Sequence, residues 1–192
     1  MPPAKRHALE TLTLRGPSLR IAVVADTHSR PHPLLHERLV ALGPDHIFHA
    51  GDIGNRDVIA ALAEVAPVSM VRGNIDEREV DLPDSLTIDV REAERTLLKI
   101  LLTHIAVCGT LLRADVLRTA QRNDASLVVC GHSHVPFAAR DRGVTIFNPG
   151  SVGPRRFHLP IVLGLIAISR DGVALTHIDC ETGLAWRPAP AR

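Results

Sequence analysis

The sequence predicts an α/β fold in which two mixed sheets pack face to face and helices cover the outside. Two observations support this prediction. Short apolar runs alternate with segments of helical periodicity up to about residue 71, which indicates βαβ units with parallel strands. The rest of the chain is mainly short β-rich runs separated by turn signals. Two packed sheets accommodate both halves.

The first half contains three predicted strands and two predicted helices. The strands are short β-branched runs of the kind that is buried on both faces. The helices carry apolar side chains on one face, and Gly43-Pro44 ends the first of them. Residues 1–18 precede the first strong strand and are expected to form an extension or an edge strand. The strands are predicted at residues 20–25, 45–50 and 68–71, and the helices at 31–42 and 57–65.

The second half is predicted to begin with a hairpin, because two β-rich runs flank the charged turn 91–95. One helix follows at residues 111–122. Asp171-Gly172 is a strong turn signal between the last two strands. The strands of this half are predicted at residues 86–90, 96–103, 126–130, 144–147, 160–169 and 174–179.

Length and composition predict a single domain. The 192 residues suggest an N-terminal extension (1–18), one domain (19–186) and a flexible tail (187–192). A formal net charge of +1 provides no broad attraction for nucleic acid or a membrane. Four Phe and one Trp leave little aromatic surface for stacking on bases, so we do not expect a nuclease.

The cysteines and the apolar runs predict a cytoplasmic protein. Three cysteines are too few for a disulfide framework and are expected to be buried thiols in a reducing compartment. The N-terminus lacks the apolar core of a secretory signal. The longest apolar run, Leu159 to Ile168, is too short to cross a bilayer, which takes roughly 20 residues. We expect this run in the core, with self-association of the chain as the alternative.

Seven potential metal ligands stand in five short motifs, each at the end of a hydrophobic run. They are carboxylates, a carboxamide and imidazoles, a donor set that suits divalent transition metals. Such side chains at strand ends indicate a binuclear metal centre, which usually performs phosphoryl chemistry. The seven are Asp26, His28, Asp52, Asn74, His104, His132 and His134.

The spacing of the motifs supports a shared site. Residues two apart in an extended segment point the same way, so Asp26 and His28 can approach one cation together, and so can His132 and His134 if their loop spreads slightly. Asp52 is the best candidate to bridge two cations, because Gly51 before it lets the backbone come close. A water bound to both metals would lose its proton near neutral pH and become the nucleophile. The open ends of parallel strands are where α/β sheets build such sites.

Each motif also has a simpler explanation. Asp26 and Asp52 could cap the helices that follow them, and Gly73-Asn74 could be a plain turn. His104 could be a half-buried histidine, and paired histidines arise by chance in a chain with 11 of them. These explanations require five coincidences at five strand ends, so the metal centre is favoured. The other histidines, including His46 and His177, are expected in the core or at the surface.

The motifs resemble the five blocks of the calcineurin-like metallophosphoesterases. The matching segments are Asp26-Thr-His28, Gly51-Asp52, Gly73-Asn74, His104 and Gly131-His-Ser-His134. Their short spacing and the Asn148-Pro-Gly-Ser151 segment resemble the small bacterial and archaeal phosphodiesterase branch, which includes the metallophosphoesterase-like subunit of retromer. The resemblance covers about residues 20–180 and implies a four-layer α/β/β/α sandwich.

The resemblance also implies a ligand set and a mechanism. One metal would be held by Asp26, His28, Asp52 and His134, and the other by Asp52, Asn74, His104 and His132. Manganese is favoured, and iron, nickel and zinc are also compatible with these donors. A hydroxide bridging the two ions would attack phosphorus in line. Three further residues, His49, Asp76 and Arg72, are candidates to orient the ligands or to contact phosphate.

Two residues depart from the family pattern. Ile75 stands where many members have a histidine, similar to a general acid or a donor to the transition state, and where the phosphodiesterase branch often has cysteine. Isoleucine can fill neither role, and loss of a general acid costs on the order of 10²–10⁴ in rate. Ile105 stands where glycine is common and is expected to crowd the pocket. The expected function is therefore hydrolysis of a small phosphate ester, with phosphodiesters favoured. The alternative is a protein-interaction scaffold on the same fold with weak or no catalysis.

Overall fold

The computed structural model describes residues 6–187 and contains two six-stranded sheets and three α-helices in that range. The helices are α1 (Leu35–Leu42), α2 (Asp57–Ala63) and α3 (Ala114–Arg122), and a short 3-10 helix spans Asn74–Asp76. The strands are β1 (His7–Thr13), β2 (Ser18–Val24), β3 (His46–His49), β4 (Val68–Met70), β5 (Ser85–Glu92), β6 (Arg95–Thr103), β7 (Val107–Cys108), β8 (Leu111–Leu112), β9 (Leu127–Val129), β10 (Phe137–Asp141), β11 (Val144–Asn148), β12 (Val162–Ser169), β13 (Gly172–Asp179) and β14 (Ala185–Trp186).

The two large sheets are both mixed. The first has the order β1-β5-β6-β9-β11-β10, and the second has the order β14-β13-β12-β2-β3-β4. Strands β2, β3 and β4 run parallel, as do β6, β9 and β11. The β7–β8 pair forms a separate two-stranded ribbon. The parallel strands end at one edge, where the loops that follow them meet.

Three apolar clusters hold the layers together. The largest lies between the sheets and includes Ile21, Phe48, Ile100 and Phe147, none of which has exposed surface. A second cluster packs α1 and α2 against the outer face of the second sheet. A third packs α3 against the outer face of the first sheet. The predicted α/β/β/α sandwich of two mixed sheets with flanking helices is therefore confirmed.

The N-terminal segment is an edge strand. Strand β1 pairs in parallel with β5, with His7 opposite Ser85. The predicted domain limits at residues 18 and 187 remain predictions. The ends of the predicted extension and tail, residues 1–5 and 188–192, lie outside the described residues. Within residues 6–187, no helix has the length and apolar character needed to cross a membrane.

Several predicted boundaries were wrong for identifiable reasons. Helix α1 begins at Leu35 rather than at residue 31, because Pro31 and Pro33 disfavour helical backbone in the residues before them. Residues 111–112 form β8, so α3 begins at Ala114. Strands β7, β8, β10 and β14 were not predicted. Cys108 is exposed on the β7–β8 ribbon, which corrects the prediction that all three thiols are buried.

Candidate metal centre

The seven predicted ligands converge at the edge where the parallel strands end. Two groups form there, and within each group the potential ligand atoms lie within 4.8 Å of one another. The first group is Asp26, His28 and His134, and the second is Asp52, His104 and His132. Asn74 joins the second group, because its Oδ1 lies 3.1 Å from both His104 Nε2 and His132 Nδ1.

Asp52 lies between the two groups. Its Oδ1 is 3.2 Å from His104 Nε2, and its Oδ2 is 3.7 Å from His28 Nε2. Each carboxylate oxygen therefore faces a different group, as a bridging ligand would. Burial by itself would raise the pKa of Asp52. Hydrogen bonds from His104 and from the Ile75 N–H lower the pKa by more than burial raises it, and the resulting pKa is about 2. Asp52 is accordingly ionised at neutral pH.

The backbone at these loops is unusual. Asp26, His28, Asp52, His132 and His134 all have positive φ, between 47° and 69°. Such conformations are uncommon outside glycine, and clusters of them mark functional sites. Gly51 also has a positive φ of 91°, and a Cβ there would come within 2.9 Å of the Gly73 nitrogen. Glycine is therefore required at the approach of the Asp52 loop to the Asn74 loop.

Buried hydrogen-bonding groups at the centre lack partners. Asp26 Oδ1 and His134 Nδ1 are buried and have no hydrogen-bond partner in the described structure. A buried polar group left unpaired costs about 1–3 kcal/mol, more for a charged group. The Asp26 oxygen is 3.3 Å from His134 Nε2, which is itself 3.3 Å from His28 Nε2. A cation among these three atoms would give the Asp26 oxygen a partner and would bind both Nε2 atoms; it would not reach His134 Nδ1, on the other side of that ring.

The protonation of His104 supports the same conclusion for the second group. Its Nδ1 lies 2.7 Å from the Ala50 carbonyl, so Nδ1–H donates to that oxygen. Nε2 then faces the oxygens of Asn74 and Asp52. Burial lowers the pKa of His104, but the Asp52 and Asp26 carboxylates and the hydrogen bond to the Ala50 carbonyl together outweigh burial, so the pKa lies above its usual value. An Nε2 surrounded by oxygens needs either a proton or a metal ion, and the donor set fits a divalent transition metal.

His49 and Asp76 connect the ligand loops. His49 has no exposed surface; its Nδ1 accepts from the Gly51 N–H and its Nε2–H donates to Thr27 Oγ1, 3.0 Å away. Burial lowers the pKa of His49 to about 4, so the ring is neutral. The Asp76 carboxylate accepts hydrogen bonds from the N–H groups of Ile53, Gly54 and Gly73. Both residues therefore hold the Asp52 loop in place.

Arg72 lines the cleft beside Asn74 and pairs with an acidic side chain there. Its Nε donates to Asp84 Oδ1 at 2.9 Å, in the wall of a cleft of about 500 Å³ that opens beside Asn74 and His104. Ile105 also lines this cleft, at the position where the sequence predicted crowding. Ile75 is 47% exposed next to Asn74. Its side chain offers no proton to a departing group.

The Asn148–Ser151 turn and Arg156 contribute contacts that the sequence analysis did not assign. Asn148 Nδ2–H donates to the Gly131 carbonyl at 2.7 Å, and Ser151 Oγ–H donates to the Asp26 carbonyl at 3.1 Å. Arg156 Nη2 lies 3.1 Å from His28 Nε2. The Asn148-Pro-Gly-Ser151 segment is a sequence pattern typical of a turn, so the turn itself could be predicted. No sequence signal distinguished Arg156 from the other arginines.

Comparison with known families agrees with this geometry. The family model for the calcineurin-like phosphoesterase superfamily domain matches residues 19–171. A probable metallophosphoesterase from Methanocaldococcus jannaschii is 26% identical over 167 residues, which covers 81% of this chain and 79% of the relative. The probable metallophosphoesterase YsnB from Bacillus subtilis is 25% identical over 170 residues, which covers 84% of this chain and 91% of the relative.

Solved structures share the fold. A predicted phosphoesterase from Streptococcus pneumoniae superposes with a TM-score of 0.64 at 24% identity, covering 88% of this chain and 96% of that one. Vacuolar protein sorting 29 from Cryptosporidium parvum gives a TM-score of 0.69 at 18% identity, and the match covers 88% of this chain and 94% of that one. Vps29 from Entamoeba histolytica, solved with Zn²⁺, gives a TM-score of 0.67 at 21% identity. The match covers 88% of this chain and 96% of that one.

Proposed function

Because the chain belongs to the calcineurin-like phosphoesterase superfamily, we propose that its centre holds two divalent metal ions and hydrolyses a small phosphate ester, with phosphodiesters favoured. The observation that carries the proposal is the convergence of seven candidate ligand side chains in two adjacent groups, with an oxygen of Asp26 in the first group left without a hydrogen-bond partner. A binuclear site of this kind activates water near neutral pH and neutralises charge on the phosphate. Manganese is the favoured ion.

The protein's own groups prepare the centre. Asp26, His28 and His134 would hold one ion, and Asn74, His104 and His132 the other, with Asp52 shared between them. The Ala50 carbonyl orients the His104 ring, and such outer contacts fix the nitrogen that faces the metal. The buried side of the site excludes water, while exposed Asn74 and His132 leave it open to substrate.

The cleft beside Asn74 and His104 is the place for the ester group. Its walls combine apolar and hydroxyl side chains with charged ones. They include Leu101, Ile105, Val116, Ser85, Thr103, Arg72, Glu77, Asp84 and Asp115. A small alcohol portion of mixed polarity suits this lining. The cleft lies next to the second ligand group, so a phosphate at the centre would place its ester group there.

Ile75 accounts for the predicted preference among esters. The Ile75 backbone N–H supports Asp52 at 3.1 Å, but the side chain cannot protonate a leaving oxygen. Esters with poor leaving groups should therefore turn over slowly. We expect Ile75→His to raise kcat for an unactivated phosphomonoester by at least about tenfold, since a general acid contributes 10²–10⁴ in favourable cases. An unchanged kcat, with the protein folded, would show that Ile75 is not the limiting feature.

The proposal is tested by metal analysis together with activity on a panel of phosphomonoesters and phosphodiesters. Wild type should bind two Mn²⁺ ions and hydrolyse at least one diester. Asp52→Asn should lose most of this activity, and Asp171→Asn, at the β12–β13 turn, is the matched control. Equal activity in wild type and Asp52→Asn would reject the bridging role. Metal binding without hydrolysis of any ester would favour the protein-interaction scaffold instead.

We also expect a cytoplasmic location, and we weigh self-association of the chain against a core role for the apolar run. Cys130 and Cys180 are free thiols and fit a reducing compartment. Leu163 and Ile166, in the apolar run considered for self-association, have no exposed surface and pack in the core clusters. That burial favours the core role of β12. Mass measurement in solution would establish the oligomeric state.

A further inference from the structure

Arg156 reaches the metal centre from a loop outside the five motifs. Its Nη2 lies 3.1 Å from His28 Nε2, the nitrogen that faces Asp52 and His134. A guanidinium has only donors, so Nη2–H donates and His28 Nε2 accepts. Arg156 therefore engages the same lone pair that a metal ion would take.

The root of the Arg156 loop is fixed to the loop that carries the ligands. The Val152 N–H donates to the Ala25 carbonyl, and the His32 N–H donates to the Val152 carbonyl at 2.7 Å. Gly153 packs so closely that a Cβ would collide with the carbonyl of Asp26. Arg156 is three residues beyond this contact. The backbone contacts therefore hold the start of the loop against Asp26, and the exposed Arg156 side chain extends from there to His28.

Arg156 differs from its neighbour in its charge environment. The Arg155 guanidinium pairs with Glu181 and also donates to the Leu159 carbonyl. For Arg156, the described structure shows the contact with His28 and no ion pair with a carboxylate. An arginine beside a metal centre without an anionic partner is suited to bind an anion there, since its fork of donors matches phosphate.

We propose that Arg156 binds the phosphate of the substrate and rests on His28 until a metal ion takes that nitrogen. The inference rests on the proposed function. Metal binding removes the acceptor, and the tethered guanidinium is then free to donate to a phosphate oxygen. A phosphomonoester has one more terminal oxygen and more negative charge than a diester, so Arg156 aids monoesters more. Arg156 affects the affinity for the substrate, whereas Ile75 affects kcat.

This arrangement makes the two affinities of an Arg156 variant change in opposite directions. Without the guanidinium, His28 Nε2 is available at once and nearby positive charge is gone, so metal should bind more tightly. Phosphate loses a charge-assisted hydrogen bond, so it should bind less tightly. A residue that only supported the fold would weaken both, because both sites depend on the same loops.

The experiment is calorimetry on Arg156→Gln, Arg156→Lys and wild type, with Arg170→Gln on the remote β12–β13 turn as the control for charge. Mn²⁺ is titrated first, and inorganic phosphate is then titrated into the metal-loaded protein. For Arg156→Gln we expect the Kd for Mn²⁺ to fall a few-fold. The Kd for phosphate should rise about tenfold, the loss expected for one charged hydrogen bond. Arg156→Lys should recover part of the phosphate affinity, and Arg170→Gln should match wild type.

Steady-state kinetics provide the second measurement. In Arg156→Gln, KM should rise more for a phosphomonoester than for a phosphodiester with the same leaving group, and kcat should change little. The inference is overturned if the phosphate Kd stays within twofold of wild type, or if metal and phosphate affinities fall together. Wild type that binds Mn²⁺ and phosphate as described but hydrolyses no ester would refute the proposed function alone. Wild type that binds neither would refute both.

Discussion

Two buried polar clusters lie near opposite ends of β3 and differ in whether their groups are paired. At the start of the strand, His46 Nε2–H donates to Ser69 Oγ at 2.6 Å, and Ser69 Oγ–H donates to Glu10 at 2.6 Å. Beyond the end of the strand, Asp26 Oδ1 and His134 Nδ1 are buried without hydrogen-bond partners. The first cluster is complete within the protein, and the second is not.

The difference separates a structural role from a functional one. The His46–Ser69–Glu10 cluster joins edge strand β1 of the first sheet to β3 and β4 of the second. Burial lowers the pKa of His46, and the Glu10 carboxylate raises it by less, so the ring stays neutral and donates. Paired buried groups rigidify a fold, whereas unpaired ones cost stability and call for an explanation such as a bound ion.

The largest expected effect is that of Asp26→Asn at the incomplete cluster. The neutral amide is a weaker metal ligand than the carboxylate and removes one negative charge from the centre, so activity should fall by more than about 100-fold, a loss of about 3 kcal/mol. Without metal, the Tm should stay equal to that of wild type or rise, because a buried charge is removed. Thermal unfolding with and without Mn²⁺ measures both. A lower Tm without metal would contradict the functional interpretation of this cluster.

The next effect is that of His49→Phe, which keeps a ring but removes both hydrogen bonds to the ligand loops. Metal affinity should fall about 10- to 100-fold, the usual cost of losing a group that orients ligands. His49 sharpens the comparison between the two clusters, because both of its ring nitrogens are hydrogen-bonded, as in the structural cluster, although it lies beside the candidate metal centre. Calorimetry with Mn²⁺ provides the measurement. An affinity equal to that of wild type would place His49 with the structural cluster.

The smallest expected effect is that of Ser69→Ala at the complete cluster. It leaves the His46 N–H and the Glu10 carboxylate without their shared partner, and should lower the free energy of unfolding by about 1–3 kcal/mol. Activity and metal affinity should remain those of wild type. Urea unfolding measures the change, with Ser169→Ala in the exposed β12–β13 turn as the control. Loss of metal binding in folded Ser69→Ala would break the comparison.

Much of the fold followed from local sequence patterns. The β-branched runs of β2 and β3 and the turn at Asp171-Gly172 are signals carried by adjacent residues. Strand β1 has an alternating pattern that is only half-buried, so the sequence left extension and edge strand as alternatives. Strand β10, with Ala-Ala-Arg at its centre, forms because β11 offers it a partner. Pairing across sheets is not visible in a strand's own composition.

The seven candidate metal ligands were identifiable because each follows a strand that its own sequence reveals. Parallel strands end at a common edge, so residues placed just after them are brought together whatever the details of packing. His49 and Asp76 were also candidates from the motifs. Their specific contacts, and the pairing of Arg72 with Asp84, depend on how loops meet in space.

By itself, the sequence determined two packed mixed sheets with helices outside and the seven potential ligands, because these depend on residue type and on spacing along the chain. The four-layer description and the missing acid at Ile75 followed from the family resemblance. Only the tertiary structure decided which polar groups remain unpaired and which arginine reaches the centre. Asp26 and Arg156 are 130 positions apart, and their approach results from the packing of the Asn148–Gly153 turn against the first ligand loop. Contacts between distant segments arise from the folded sheets and leave no local pattern.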